Sequence, residues 1–210
     1  MRPLMVRLAA RLAQQTGTPC DIQLVAYGLG ILVDGIIQVL AILILALILG
    51  VLKPVALVMT VAMVYRRFSG GVHCTGFYRC MTTSAVVFLG LGYLAIQLAA
   101  TNYAYVFQGF AVIASSFAAV KWAPGDNPVK PITTEAKKSE LKQKSLLTVV
   151  GVALIALANW YWSLFSPLTL TAITLGLLWQ SFTITPWGYR LIGWVDRILT
   201  GVRVPERGGE

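Results

Sequence analysis

One short stretch of this sequence gathers the side chains that could exchange a proton and attack a carbonyl. Residues 66–80 read Arg66, Arg67, Phe68, Ser69, Gly70, Gly71, Val72, His73, Cys74, Thr75, Gly76, Phe77, Tyr78, Arg79, Cys80. His73 is the single histidine of the chain, and two of the three cysteines lie within seven residues of it. A cysteine becomes nucleophilic when a neighbouring base takes its proton, or when positive charge favours the thiolate. Here His73 would be the base, and Arg66, Arg67 and Arg79 would supply the charge. Gly70 and Gly71 would let the backbone come close to a substrate. A structural zinc site wants four ligands. His73, Cys74 and Cys80 give three, Cys20 is the only other cysteine, and there is no CxxC pair. The expectation is thiol chemistry with no metal and no cofactor.

Spacing bears on which cysteine would attack. If the chain were helical from Val72 onward, His73 and Cys80 would share a face but stand about 10.5 Å apart along the axis. Their meeting then requires a break in the backbone, which Gly76 allows, or closure on substrate. Cys74, next to His73, would point to another side of such a helix. Spacing therefore favours Cys80 without eliminating Cys74. Asp34 is a further candidate, because an acid inside an apolar block is costly and usually functional or paired. It could orient His73 as a third triad member, or pair with Arg66 or Arg67 and hold helices together.

The elements that must position these residues are membrane elements. The 210 residues are 57% hydrophobic and 12% charged, with a mean hydropathy of +0.75. Soluble domains have about 25% charged residues and about 45–50% apolar ones, so the bilayer is the expected solvent. The fold class expected is all-α, a polytopic membrane protein of one domain, residues 1–210. A spanning helix needs about 20 mostly apolar residues, and the apolar blocks place six near 27–50, 52–67, 81–100, 103–120, 146–165 and 167–186. Leu4, Leu8 and Leu12 recur every four residues, as in an amphipathic helix lying on the membrane over residues 1–20. That segment lacks the uninterrupted apolar core of a signal peptide. The 121–145 loop opens with turn residues and closes with a lysine-rich helical stretch.

The net charge of +9 does not point to nucleic acid, since the basic residues sit between apolar blocks. Three lie at the N-terminus, three in the 66–80 insert, six in the 121–145 loop and four in the tail, leaving only Lys53 elsewhere. Lys and Arg in short loops mark the cytoplasmic side. Six spans put both termini, the insert and the basic loop there.

The insert resembles that of the accessory gene regulator B (AgrB) family, bacterial membrane peptidases that process quorum-sensing propeptides. The matching residues are Arg66, Gly70-Gly71-Val72-His73 and a cysteine seven residues after the histidine, Cys80. The later Ala123-Pro124-Gly125-Asp126 and Lys130-Pro131, the acid at Asp34 where relatives often carry Glu, and the six apolar blocks extend the resemblance over most of the chain. It implies that Cys80 is the nucleophile, His73 the base, and Cys74 not catalytic. The implied substrate is an AgrD-like propeptide with an amphipathic leader, an internal cysteine and an acidic C-terminal tail. Cleavage would leave an acyl-enzyme, and the peptide's own cysteine would close a thiolactone ring. The resemblance also implies a homodimer in the bacterial cell membrane. An acidic tail would be attracted to the cytoplasmic lysines, among them Lys130, Lys137, Lys138 and Lys142. Two other readings are a transporter or exporter, to which Asp34 and the Gly/Pro-interrupted blocks are suited, and a non-catalytic membrane scaffold.

Overall fold

A computed structural model describes residues 2–16, 22–125 and 134–200. Among these the chain forms eight helices and no strand: α1 (Arg2–Thr16), α2 (Ile22–Ile48), α3 (Leu52–Ser69), α4 (Phe77–Ala99), α5 (Ala104–Trp122), α6 (Glu135–Trp162), α7 (Pro167–Thr183) and α8 (Pro186–Thr200). The chain separates into two compact units, residues 1–45 and 46–210.

In the N-terminal unit, α1 buries Met5 and Ala9 against Ala26 of α2, with Val6, Val25, Leu29 and Val33 packed around them. Leu4 and Leu8, two members of the expected amphipathic stripe, are exposed. Asp34 is half-buried on α2. It lines a groove of about 440 Å³ together with Met5, Tyr27 and Gly30.

In the larger unit, local sequence sets the helix ends. Gly50 takes a positive φ of 71°, and Pro54 follows in the first turn of α3, where a missing N–H costs nothing. Asn159 accepts a hydrogen bond from the Phe165 backbone N–H at 2.6 Å as α6 ends. Ser166 then caps α7 by accepting from the Thr169 N–H at 3.3 Å, with Pro167 as its first residue. The core lies around α3 and α7. Tyr65, Ala119, Ala123, Val149, Val152, Leu177 and Ile184 form one cluster. Val58, Ala95, Ala172 and Leu175 form another. Gly92 of α4 and Gly176 of α7 lie directly against Val55 and Val58 of α3, where a methyl group would collide. Small residues at such crossings let membrane helices approach closely.

Four helices, α2, α4, α5 and α6, are long and apolar enough to cross a membrane, and the bent α7–α8 pair would make a fifth. The expected second span corresponds to α3, which carries Lys53, Arg66 and Arg67 at its ends. The expected sixth corresponds to α7, of 17 residues.

Three boundaries differ from expectation. The 66–80 insert is shorter as a loop, because Arg66–Ser69 complete α3 and Phe77–Cys80 open α4. The lysine-rich end of the 121–145 stretch is the start of α6. The tail after residue 186 is helical through Thr200 and turns 83° from α7. Trp187, Leu191, Trp194 and Ile198 are exposed on α8. Their spacing of four, three and four residues makes a single apolar stripe, the pattern of a helix lying in a membrane interface. The sequence hides this helix because its apolar residues never run together as a span's do.

Candidate active site

The Gly-Gly end of the loop is fixed on three sides. Val72 N–H donates to Thr183 O at 3.2 Å, and Gly125 N–H donates to Ser69 O at 2.7 Å. Arg66 Nη2 donates to Gly71 O at 3.1 Å and to Val72 O at 2.8 Å. Its Nη1 donates to Gln180 Oε1 at 3.5 Å. Gln180 Nε2 in turn donates to Ser69 Oγ at 3.1 Å and to Gly70 O at 2.7 Å. Gly70 and Gly71 take positive φ values of 66° and 120°, conformations that side chains disfavour. A Cβ on Gly70 would strike the Gly125 carbonyl oxygen, and one on Gly71 would lie 2.8 Å from Thr183 Oγ1. Both glycines are thus required by backbone conformation and by close neighbours.

From this anchor the chain does not continue as a helix. Gly76 is extended, at φ −115° and ψ 143°, and α4 begins at Phe77. The shared-face argument for His73 and Cys80 therefore does not apply, and the backbone break that Gly76 permits is present. The loop doubles back along α4, since Cys74 Sγ donates to Thr83 Oγ1 at 3.7 Å. That contact sets the His73–Cys74 segment alongside the first two turns of α4, the turns that carry Cys80.

His73 is exposed and Cys80 half-exposed. His73 Nδ1 lies 2.9 Å from the Cys74 carbonyl oxygen. A carbonyl only accepts, so in this arrangement Nδ1 is the donor, and the neutral ring has its lone pair on Nε2. Cys74 is 5% exposed, and burial pushes its thiol up from the ordinary range. Cys80 opens the hydrogen-bonded ladder of α4 by donating to Gly76 O at 2.9 Å, and this N-terminus has no side-chain cap. Helical Cα–Cβ bonds tilt toward the N-terminus, so the Cys80 thiol leans toward that open end. Together these groups supply a basic ring nitrogen, an accessible thiol and uncapped backbone donors.

The three arginines expected to favour a thiolate have separate fates. Arg66 is engaged with loop carbonyls, and it also interacts electrostatically with Cys80. Arg67 is exposed. Arg79 is neutralised by Asp196 of α8 at 3.2 Å. That carboxylate also accepts from the Thr75 N–H at 3.2 Å and the Thr75 hydroxyl at 2.8 Å.

Of the expected tail-binding lysines, Lys138 and Lys142 line a cleft of about 390 Å³ with Lys121, Trp122, Pro124 and Glu135. Lys121 lies 5.0 Å from the Trp122 ring centre, and Lys138 is 3.9 Å from Glu135. Lys137 pairs with Glu140 at 2.9 Å. Lys130 lies outside the described residues, as do Cys20, Asp126 and Pro131. Ala123 and Pro124 link this cleft to Gly125, the partner of the Gly-Gly anchor.

Sequence reasoning missed Gln180, Thr183 and Asp196. Two carried a signal: Gln180 is a polar residue inside an apolar block, and Asp196 is the only acid between residues 184 and 200. No group of three His, Cys, Asp or Glu residues suited to a metal occurs among the described residues.

Comparison with known proteins places the chain in a family. The chain is 29% identical over 184 residues to AgrB-like protein 2 of Clostridium perfringens strain 13, covering 83% of this chain and 86% of that one. An AgrB-like protein of C. perfringens strain SM101 is 28% identical over the same length and coverage. One from Listeria monocytogenes serotype 4a is 28% identical over 171 residues, covering 80% of this chain and 78% of its own. No solved structure gives a significant match. The profile of accessory gene regulator B matches residues 6–184, which include the whole Gly-Gly loop and its Gln180 and Thr183 anchors, and the chain belongs to that family.

Proposed function

We propose that this chain is a membrane-embedded cysteine endopeptidase that removes the C-terminal tail of an AgrD-like autoinducing propeptide. The observation that supports the reading is the folded-back loop: the Cys74–Thr83 contact returns the segment that carries His73 to α4, the helix that carries Cys80. His73 Nε2 takes the Cys80 proton while Sγ attacks the scissile carbonyl carbon. The uncapped N–H groups of α4 receive the oxyanion. As the C–N bond breaks, His73 returns the proton to the leaving amine and the tail departs, leaving a Cys80 thioester. The peptide's own cysteine gives its proton to His73 and attacks that thioester. Cys80 leaves as a thiol and a thiolactone ring closes. A membrane-embedded site shields the thioester from water between the two steps. The Cys74 carbonyl fixes the His73 tautomer, so the chemistry needs no third acidic member.

The lysine cleft would hold the acidic tail. Lys121, Lys138 and Lys142 offer positive charge beside the segment that pairs with the Gly-Gly anchor, which is where residues beyond the scissile bond would emerge. The positive-inside rule favours this face and the loop on the cytoplasmic side of the membrane, with α3 and α7 crossing as well.

The test is cleavage of a co-expressed propeptide by Cys80→Ala and His73→Ala. Each is expected to abolish processing at unchanged protein level. Cleavage retained in Cys80→Ala would remove the proposed nucleophile, and intact peptide appearing outside the cell would indicate export instead. In the same assay, replacing Lys138 and Lys142 together by Glu should raise KM severalfold and leave kcat in place. An unchanged KM would detach the cleft from the tail.

A further inference from the structure

The downstream end of the catalytic loop is held by a helix that lies beyond the region matched to the family. α8 runs from Pro186 to Thr200, and the family match ends at residue 184. From it Asp196 reaches back across the sequence to both sides of the Cys80 turn. Its Oδ1 accepts from the Thr75 N–H at 3.2 Å and its Oδ2 from the Thr75 hydroxyl at 2.8 Å. Arg79 Nη1 lies 3.2 Å from Oδ1 and donates to the Asp196 carbonyl oxygen at 3.3 Å. It also bonds to Thr200 Oγ1, whose own hydroxyl donates to Asp196 O at 2.6 Å. Thr75 lies two residues after His73, and Arg79 immediately precedes Cys80. A single carboxylate, with its side chain 15% exposed, thus joins the imidazole's side of the loop to the thiol's turn.

We propose that Asp196 is a positioning residue for the peptidase site: it fixes the His73 segment against the first turn of α4 without touching substrate. This inference rests on the cysteine peptidase reading. The physical argument is one of tolerance. Between Val72 and Phe77 the chain has no helical ladder, and displacement of a reacting group by about 1 Å costs on the order of 10²-fold in rate. The bonds of the Gly-Gly anchor end at Val72, and the Cys74–Thr83 contact is a weak one to sulfur. Charge-assisted bonds to a carboxylate are about twice as strong as neutral ones, and Asp196 accepts from both sides of the gap at once.

The experiment uses the full-length protein in lipid vesicles with a synthetic propeptide that carries an internal cysteine and an acidic tail. Asp196→Ala is expected to lower kcat by about 10²-fold, with KM unchanged and an unaltered melting temperature. Thr75→Val, which removes one hydroxyl bond, should lower kcat by up to about tenfold. The double variant should be no worse than Asp196→Ala alone, because both changes remove the same contact. Asp196→Glu should recover part of the lost kcat, because a carboxylate one methylene longer can still accept from Thr75 and pair with Arg79. Wild-type kcat in Asp196→Ala would overturn the proposal. So would a loss confined to KM, or a fall in folded protein combined with wild-type kcat in Thr75→Val. Cys80→Ala separates the two levels of inference. If it still cleaves, the peptidase reading fails and the positioning role falls with it. If it is dead while Asp196→Ala is fully active, only the positioning role is lost.

Discussion

The upstream and downstream ends of the His73 loop are anchored by different physics. At Ser69–Val72 the chain is held by backbone bonds to Gly125 and Thr183, by the buried Gln180 amide and by the Arg66 fork. That anchor sits in the protein core, and it depends on two residues that have no side chain at all. At Thr75–Arg79 the holding group is one partly exposed carboxylate on α8. A buried polar network has little tolerance, because each group that loses a partner remains desolvated. A rim contact can be loosened and water takes its place. The upstream end therefore resembles a fixed floor for the site, and the downstream end an adjustable one. Substitutions upstream should be harsher than the Asp196 series, and they should cost stability as well as rate.

The largest effect is expected at Gly70. Gly70→Ala puts a β-carbon into the Gly125 carbonyl oxygen and forces an L-residue to φ 66°. The conformation alone, with ψ at −143°, costs a side-chain-bearing residue about 1–3 kcal/mol, and the collision adds to it by pushing Gly125 away from Ser69. Cleavage should fall by more than about 10²-fold, and the melting temperature should drop, which the Asp196 variants should not show. An unaltered melting temperature in Gly70→Ala would erase the distinction between the two anchors.

Gln180→Leu should have a smaller effect. It keeps the volume of the side chain but leaves the Gly70 carbonyl and the Ser69 hydroxyl without their amide donor. The Ser69 hydroxyl still donates to Gly70 O at 3.4 Å, so the loss is that of two amide bonds, about 0.5–1.5 kcal/mol each. The Arg66 fork and the Thr183 bond remain to hold the loop. A fall of about tenfold in cleavage is expected, with a measurable loss of thermal stability. If Gln180→Leu left both unchanged, Arg66 and Thr183 alone would account for the upstream anchor.

The contrast between the anchors also accounts for how much could be read in advance. His73, Cys80, Arg66, Gly70 and Gly71 were legible because they lie within one contiguous stretch, with residue types that are unusual in an apolar chain. The all-helical membrane class was legible from composition. The lysine-rich helix was legible from its run of helix formers, although its start at Glu135 extends a helix that apolar content alone begins near residue 146. Gln180, Thr183 and Asp196 were not assigned, because each acts across more than 100 residues. Gln180 and Asp196 stood out as polar residues in apolar surroundings, but nothing local to them names the distant loop they hold, and Thr183 acts through its backbone carbonyl. α8 escaped because its apolar residues recur three or four apart on one face, with Arg190 and Arg197 between them in sequence, so no continuous apolar run marks it as a span. Gly76 was identified as the place where the helix could break, but only the fold shows that the loop returns along α4 instead of leading away.

The smallest effect is expected at Cys74, the residue between the two anchors. Cys74 and Cys80 are six residues apart in one polar segment, and composition does not distinguish them. Their surroundings do. Cys74 is buried and donates to Thr83, and burial pushes its thiol upward from the ordinary value. A raised thiol has less thiolate at any given pH, and the thiolate is the form that reacts. Iodoacetamide at neutral pH should therefore modify Cys80 and stop cleavage while leaving Cys74 intact, and mildly alkaline pH should not bring Cys74 to the rate of an ordinary exposed cysteine. Cys74→Ala removes a weak sulfur donor and a small volume, at a cost of about 1 kcal/mol. Cleavage should stay within about twofold of the parent, because the carbonyl that orients His73 belongs to the backbone and survives the substitution. A dead Cys74→Ala variant beside an active Cys80→Ala would reverse the two roles. It would also mean that the contact with Thr83 opens during turnover, since a buried thiol cannot reach a peptide carbonyl from where it lies.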